Sequence, residues 1–498
     1  MIDSRIALRT LRVPLSVLAV ALALAGCANS DGLNTQGRTL PADALHSERS
    51  LQGVQLSAAA WPRQDWWSAL GDQQLNALIA EALSDSPDLQ AANARSHQAY
   101  AAASSADADR MPTVDGSAGV TRSRLSRNQD PLGEGGRYGT LRSLAVDASY
   151  DFDLWGGQRD TWEAALGRAR AAEVDEQASR LTLASDVARA YSNLARAYVV
   201  RDLAEEDLKR TRQLLDLGSR RLKSGIDSEY QYQQTESLAA SSEETLLDAR
   251  KNLRSAGIAL AVLLGKGPDR AADVQRPRVL KPAVVALPPQ LPAELLGRRP
   301  DLVAARWRVE AAGKDIAASK TRFYPNLNLS ASAGVESLLG DALFGAPSRF
   351  FNVGPTLSLP LFDGGRRRAD LDARDADYDL AVAQYNKTLV QALNDVSDYV
   401  GQLRDLEGQV AARQHATDVI QRSYDTVLQR YSAGIGNYLD VLSVEQQLLD
   451  SQRQLADLNA NRIDLSIRLM QALGGGFDGS ANPASTTQSA AVAASPTH

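Results

Sequence analysis

The chain states one long pattern twice. Arg221-Leu-Lys-Ser-Gly-Ile226 opens a segment that runs to Leu263-Leu-Gly-Lys-Gly267, and Arg430-Tyr-Ser-Ala-Gly-Ile435 opens a second that runs to Ala472-Leu-Gly-Gly-Gly476. The two align without a gap at a constant offset. Arg221/Arg430, Gly225/Gly434, Ile226/Ile435, Glu236/Glu445, Asp248/Asp457, Asn252/Asn461, Leu264/Leu473 and Gly265/Gly474 coincide. Upstream, Pro87-Asp-Leu89 matches Pro300-Asp-Leu302, Met111-Pro-Thr113 matches Tyr324-Pro-Asn326, and Leu154-Trp-Gly-Gly157 matches Phe362-Asp-Gly-Gly365. A period of roughly two hundred residues is too long for a solenoid repeat. It predicts a duplicated half-protein with internal pseudo-twofold repetition: repeat 1 over residues 66–267, a linker over 268–294 and repeat 2 over 295–474.

Proline punctuates the repeats. None occurs between Pro131 and Pro268 or between Pro360 and Pro483, and these stretches are rich in strong helix formers. Val187, Tyr191, Leu194 and Tyr198 step by three or four, as do Tyr378, Val382, Tyr385, Leu389, Leu393, Val396, Val400, Leu403, Leu406 and Val410. That spacing predicts long helices packed along one narrow apolar seam. The expected spans are about Gln158 to Leu222 and Ser228 to Leu264, with a tip at Gly225, then about Arg366 to Tyr431 and Tyr438 to Leu473, with a tip at Gly434. A helix of about 65 residues is roughly 100 Å long. Shorter helices are expected from about Pro87 to Asp109 and from Pro300 to Thr321. The lengths let each short helix stack end to end with the shorter arm of a hairpin, beside a long helix.

Between each short helix and its long partner the period changes to two. Leu144, Val146, Ala148, Tyr150 and Phe152 alternate with polar or small residues; so do Leu327, Leu329, Ala331, Ala333 and Val335, and Phe351, Val353, Pro355, Leu357 and Leu359. Val114 to Thr121 is a weaker fourth case. The alternation predicts two β-hairpins, about 112–153 and 325–362, with one apolar face. A soluble four-stranded sheet packed on a helix would satisfy the pattern strand by strand. Export and two hairpins at equivalent repeat positions favour membrane strands. Four strands cannot close around a channel, and open edges are not tolerated in lipid, so the barrel must be shared between chains. Four strands per chain give eight in a dimer, twelve in a trimer or sixteen in a tetramer, and the sequence does not choose among them.

The export signal is residues 1–26. Arg5, Arg9 and Arg12 precede a short apolar run from Leu15 to Ala25, too short to span a bilayer as a helix. It ends Leu24-Ala-Gly-Cys27, which resembles a bacterial lipobox. Cys27, the only cysteine, is the expected lipidation site, so residues 27–65 form a lipid-anchored N-terminal segment. Ala28 after the cysteine favours the outer membrane. One cysteine excludes an internal disulfide. The four histidines are far apart and lack metal-ligand spacing, so no metal or other cofactor is expected beyond the covalent lipid on Cys27. A formal net charge of −6 argues against a nucleic-acid partner. No residues form a catalytic constellation or a phosphate-cradling loop, so no enzyme activity is expected. The tail, 475–498, is rich in Ala, Ser, Thr and Pro and reads as disordered.

Trp66-Trp-Ser-Ala-Leu-Gly-Asp72, Leu295-Leu-Gly-Arg-Arg-Pro-Asp-Leu302, Phe323-Tyr-Pro325, Leu361-Phe-Asp-Gly-Gly365 and Arg430-Tyr-Ser-Ala-Gly434 before Tyr438-Leu-Asp-Val-Leu442 follow in order. Together they resemble the outer-membrane efflux lipoproteins of the TolC superfamily, the outer component of resistance-nodulation-division tripartite pumps. The resemblance spans nearly the whole mature chain. It implies a mainly α fold with a membrane β-barrel contribution: a homotrimer whose helical hairpins form a periplasmic α-barrel and whose strands share a twelve-stranded β-barrel. It implies location in the outer membrane of a Gram-negative bacterium, lipid-anchored and extending into the periplasm, with a periplasmic adaptor (membrane fusion protein) and an inner-membrane pump as partners. The expected function is a passive exit duct for drugs or other small molecules. Alternatives are a duct of the same fold for type I secretion or metal efflux, and a non-conducting lipid-anchored coiled-coil scaffold.

Two residue sets are candidates for function. The tip turns Gly225-Ile-Asp227 and Gly434-Ile-Gly436 resemble the family's adaptor-docking turns. There Gly225 and Gly434 permit a tight reversal, and Ile226 and Ile435 offer apolar knobs to a partner helix. Asp216 and Asp425 occupy equivalent positions upstream of the tip glycines. Inward-facing copies in a trimer would form acidic rings that draw cations to a gate, whereas solvated helix-surface aspartates would do nothing of the kind.

Overall fold

The computed structural model describes residues 32–479 apart from 42–43, 47–48, 53–54, 57–60, 125, 127, 129–135, 137, 283–285, 288–290 and 339–342. Cys27 and the export signal lie outside the described residues. In chain order the elements are β1 (Gln55–Leu56), α1 (Gln73–Asp85), α2 (Pro87–Ala108), β2 (Thr113–Arg124), β3 (Tyr138–Phe152), α3 (Gly157–Lys223) and α4 (Glu229–Leu263). There follow β4 (Ala286–Leu287), α5 (Leu291–Arg298), α6 (Pro300–Thr321), β5 (Asn326–Ser337), β6 (Arg349–Ser358), α7 (Arg366–Ser432) and α8 (Tyr438–Ala472). Corresponding helices have equal lengths: 22 residues for α2 and α6, 67 for α3 and α7, 35 for α4 and α8. The fold is mainly helical with a small antiparallel sheet. The chain divides into two compact units. Among the described residues, one contains 32–39, 96–172 and 305–385, and the other contains 40–95, 173–304 and 386–479.

The first unit holds a four-stranded sheet of order β2-β3-β5-β6, antiparallel throughout. Residues directly opposite one another share a face. Ala148 pairs with Val114 and Ala331, and Ala331 with Val353; Val146 pairs with Gly116 and Ala333, and Ala333 with Phe351. The alternate set includes Asp147 opposite Asp115 and Ser332, with Ser332 opposite Asn352. One face is therefore apolar across all four strands and the other polar. Val114, Val120, Leu144, Val146, Phe351, Val353 and Leu357 are exposed, so the apolar face stands bare in the single chain. At the strand-to-helix crossings, Trp155 stacks on Tyr324 with ring centroids 4.9 Å apart and donates from Nε1 to the Pro325 carbonyl at 2.8 Å. Arg367 is buried there; it pairs with Asp363 at 2.7 Å and donates to the Pro360 and Arg322 carbonyls. The backbone N–H groups of Gln36 and Gly37 donate to Asp379.

The second unit has its main core where Trp66, Leu70, Leu75, Leu78 and Ile79 pack with Val187, Tyr191, Leu260, Ile463 and Ile467. Asp72 caps α1 through Gln74 N–H and also accepts from the Tyr191 hydroxyl at 2.7 Å and Arg278 N–H at 3.0 Å. Within this unit the seam of α7 is buried where expected, from Leu389 through Val396 and Val400 to Leu406. The short helices do meet the hairpin ends. Gly265, at φ +68, closes α4 so tightly against the start of α2 that a Cβ would lie 2.9 Å from the Asp85 carbonyl oxygen and 3.0 Å from Pro87 Cδ. Gly474, at φ +89, closes α8 against the Arg298 carbonyl, and Arg299 Nη1 donates to the Ala472 carbonyl at 3.2 Å.

Three segments differ from expectation. Residues 475–479 are not part of a disordered tail. Gly475 and Gly476 take positive φ, which lets the chain turn back, and Gly479 N–H donates to the Gly297 carbonyl at 2.9 Å. The remaining tail, 480–498, lies outside the described residues. The linker is partly regular: Pro268–Asp273 is a 3₁₀ turn, Gln55–Leu56 pairs in parallel with Ala286–Leu287, and α5 begins at Leu291, ahead of the expected repeat boundary at 295. Strands β2 and β3 also extend beyond the alternating cores that predicted them, because the hydrogen-bonded register continues to the Arg124–Tyr138 pair.

Candidate functional site at the helical tips

Both tips are built by the same local chemistry. Gly225 at φ +71 and Gly434 at φ +82 are left-handed positions that end α3 and α7. Ile226 N–H returns to the Arg221 carbonyl at 3.0 Å and Gly225 N–H to Leu222 at 2.9 Å; Ile435 N–H returns to Arg430 and Gly434 N–H to Tyr431, both at 3.0 Å. This is the paired Schellman closure. Ser228 then starts α4 with a reciprocal capping box to Gln231, and Asn437 caps α8 through Leu439 N–H at 3.2 Å. The knobs are out: Ile226 is 62% and Ile435 72% exposed, and Tyr230 and Leu439 beside them are exposed too.

The tips differ in what holds them. Arg221 meets Asp227 with two hydrogen bonds, Nε to Oδ2 at 2.8 Å and Nη2 to Oδ1 at 3.0 Å. Its Nη1 reaches across to the Tyr431 carbonyl of the other hairpin at 3.2 Å, and its guanidinium lies 4.5 Å from the Tyr431 ring centroid. The Tyr431 hydroxyl donates to Asp227 Oδ2 at 2.8 Å. Asp227 and Arg221 side chains are 6% and 13% exposed. The guanidinium holds the Asp227 carboxyl below the usual carboxylate range, with the Tyr431 hydroxyl assisting, and the carboxylate raises the Arg221 pKa in turn. Under this latch, Tyr431 and Tyr438 pack with Leu214, Tyr424, Val441 and Leu448. Among the described residues, the second tip has no such ion pair. Gly436 stands where the repeat offset would put an acid, and a Cβ there would lie 2.6 Å from Tyr431 N.

Of the candidate residues, Gly225, Ile226, Gly434 and Ile435 sit at the turns, whereas Asp216 and Asp425 do not meet. Asp216 is exposed and pairs with Arg220 at 2.9 Å on its own helix; Asp425, also exposed, accepts from Gln421 Nε2 at 3.0 Å. Sequence reasoning passed over the Arg221–Asp227–Tyr431 latch. Its one visible signal is the place where the repeats disagree, Asp227 against Gly436. Among the described residues, no group of three or more His, Cys, Asp or Glu side chains could hold a metal ion.

A sheet with one bare apolar face and one polar face has the pattern of membrane-barrel strands. The family described as outer membrane efflux protein matches the chain twice, over residues 78–266 and 291–475, and the chain belongs to that family. It is 37% identical over 366 residues to the fusaric acid resistance protein FusA of Burkholderia cepacia, covering 72% of this chain and 68% of that protein. It is 32% identical over 332 residues to the multidrug resistance outer membrane protein MdtP of Escherichia coli, covering 64% of this chain and 67% of the relative. The crystal structure of the outer membrane protein VceC from Vibrio cholerae superposes with a TM-score of 0.78 at 36% identity, over 84% of this chain and all of that one. The family is one of outer-membrane channels, not enzymes, and the outer membrane is where this chain resides.

Proposed function

We propose that the chain is one of three identical subunits of the exit duct of a tripartite efflux pump. Twelve shared strands cross the outer membrane and the helical hairpins extend into the periplasm. The observation that carries this is the sheet. Its apolar face is bare, its edge strands β2 and β6 have no further partner among the described residues, and only closure with other copies satisfies both in lipid. The equal helix lengths and the twofold family match support a duplicated chain, with repeats at 66–267 and 295–474 that give the trimer sixfold-like tips. Substrates are small organic molecules delivered by an inner-membrane pump, in keeping with the resistance names of FusA and MdtP. Cys27 carries the lipid anchor. A periplasmic adaptor grips the exposed Ile226 and Ile435 at the turns set by Gly225 and Gly434.

Electron microscopy of the detergent-extracted protein tests this reading. A threefold tapered tube is expected, and mass spectrometry of its N-terminal peptide should find acyl chains on Cys27. A rod of one or two chains without a barrel would reject the duct. Asp216 and Asp425 are proposed to line the narrow end as acidic rings. In planar bilayers, neutralising both (D216N with D425N) is expected to lower cation over anion selectivity several-fold at low salt. Unchanged selectivity would remove them from the gate.

A further inference from the structure

Two glutamates that match in the repeat have opposite surroundings. Glu236 on α4 is exposed, whereas Glu445 on α8 is 2% exposed, between the tip-core residues Val441 and Leu448. Across from Glu445, α3 presents Asp207, 4% exposed, and Arg210, whose Nε is 3.8 Å from Glu445 Oε1. From α7 comes buried Tyr424, its ring centroid 5.8 Å from the Arg210 guanidinium carbon. Tyr438, on α8 itself, is the remaining titratable group that senses Glu445. Hydrogen bonding in the cluster is incomplete: the Arg210 ion pair is long, and the Tyr424 hydroxyl is the one further group that favours the Glu445 carboxylate. Both Glu445 carboxylate oxygens, Asp207 Oδ1, and Arg210 Nε and Nη2 are buried without a hydrogen-bond partner among the described residues. The repeat offset places Ala416 and Val419 opposite Asp207 and Arg210, so the cluster occurs once per chain.

Two carboxylates against one guanidinium leave an uncompensated negative charge in a dry setting, which is costly. A proton removes the excess charge and gives Glu445 an O–H with which to donate. We propose that Glu445 is a proton-binding site that couples the packing of α3, α7 and α8 near the tips to the pH around the protein. Burial first, and Asp207 second, push the Glu445 carboxyl up to about 7, against the pull of Arg210 and of the Tyr424 hydroxyl. Because the folded value is raised above the unfolded one, folding favours the protonated form. Its stabilising contribution is complete in acid, below the ordinary glutamate range, and is lost as pH rises to about 7. The helices should pack tightly in mild acid and loosen in mild alkali.

This inference does not depend on conduction, and amide hydrogen exchange on the full chain in detergent tests it. Peptides covering 204–214 and 438–452 should lose protection by about tenfold or more between pH 5.5 and 8.5, after correction for intrinsic exchange. The midpoint should lie near 7. Glu445→Gln, which mimics the protonated form, should hold the acid level of protection at every pH. Asp207→Asn should keep the transition but move its midpoint down. Flat protection in the unmodified protein would overturn the proposal, as would a Glu445→Gln profile that tracks it. Should Glu445→Gln fail to fold, the unmodified profile and the Asp207→Asn midpoint decide.

Discussion

Asp227→Ala is expected to free the two helical tips from one another. The substitution removes both hydrogen bonds to Arg221 and the acceptor of the Tyr431 hydroxyl, and it leaves a guanidinium 13% exposed beside an aromatic ring. Breaking a fully buried pair costs about 3–5 kcal/mol; here water reaches the arginine, and about 2–3 kcal/mol is expected. At 1.4 kcal/mol per tenfold, exchange at the tip amides should quicken by roughly 30- to 150-fold. Tyr431→Phe removes only the hydroxyl bond to the carboxylate and should cost about 1.5 kcal/mol. Acid should act on the latch in the opposite sense to its effect on Glu445. The Asp227 value is depressed by folding, so its contribution is present above the ordinary aspartate range and is lost as pH falls through the folded value. An Asp227→Ala protein with unchanged exchange over residues 214–236 and 424–441 would show that the latch holds nothing.

Gly474→Ala is expected to damage the fold more than any other glycine substitution at a helix end. The residue sits at φ +89, and a Cβ there would run into the Arg298 carbonyl oxygen. The left-handed backbone costs about 1–2 kcal/mol for alanine. Forcing the end of α8 away from the α5–α6 corner costs about 1–3 kcal/mol more. Gly434→Ala is the control: its φ is +82, but open space surrounds it, so only the backbone cost applies. Protease resistance of the purified protein separates the two. Equal losses would mean that the junction can yield and that contact with Arg298 contributes little.

The helices were legible because proline-free stretches rich in strong formers carry a seam such as Val382, Leu389 and Val396, and all three are buried. The strands were legible wherever period-two alternation was dense, as from Leu144 to Phe152. Strand β2 gave a weak signal because Gly116, Ser117 and Gly119 dilute it, and its extent is set by pairing with β3 rather than by its own composition. Helix α1 carries a helical period in Leu75, Leu78, Ile79 and Ala82, all buried, whereas the eight residues of α5 are too few to show one. The tip glycines were readable from local backbone chemistry. The latch was not, because Arg221 and Tyr431 meet only once the two hairpins are side by side. Glu445 was hidden for a related reason: it matches Glu236 letter for letter, and only the facing helices make one buried and the other exposed.

The uncovered sheet also bears on the life of the chain before it reaches its destination. Strands β2 and β6 have no further pairing partner among the described residues, and residues such as Val114 and Phe351 present an oily surface to water. A newly exported copy crossing an aqueous compartment carries the makings of an aggregate. On the proposed shared barrel, escort by a holdase or immediate pairing with sister copies would cover that surface. With the barrel shared between copies as proposed, folding, assembly and membrane entry become one concentration-dependent event, and the abundance of the finished channel should then fall more steeply than in proportion when synthesis of the chain is reduced.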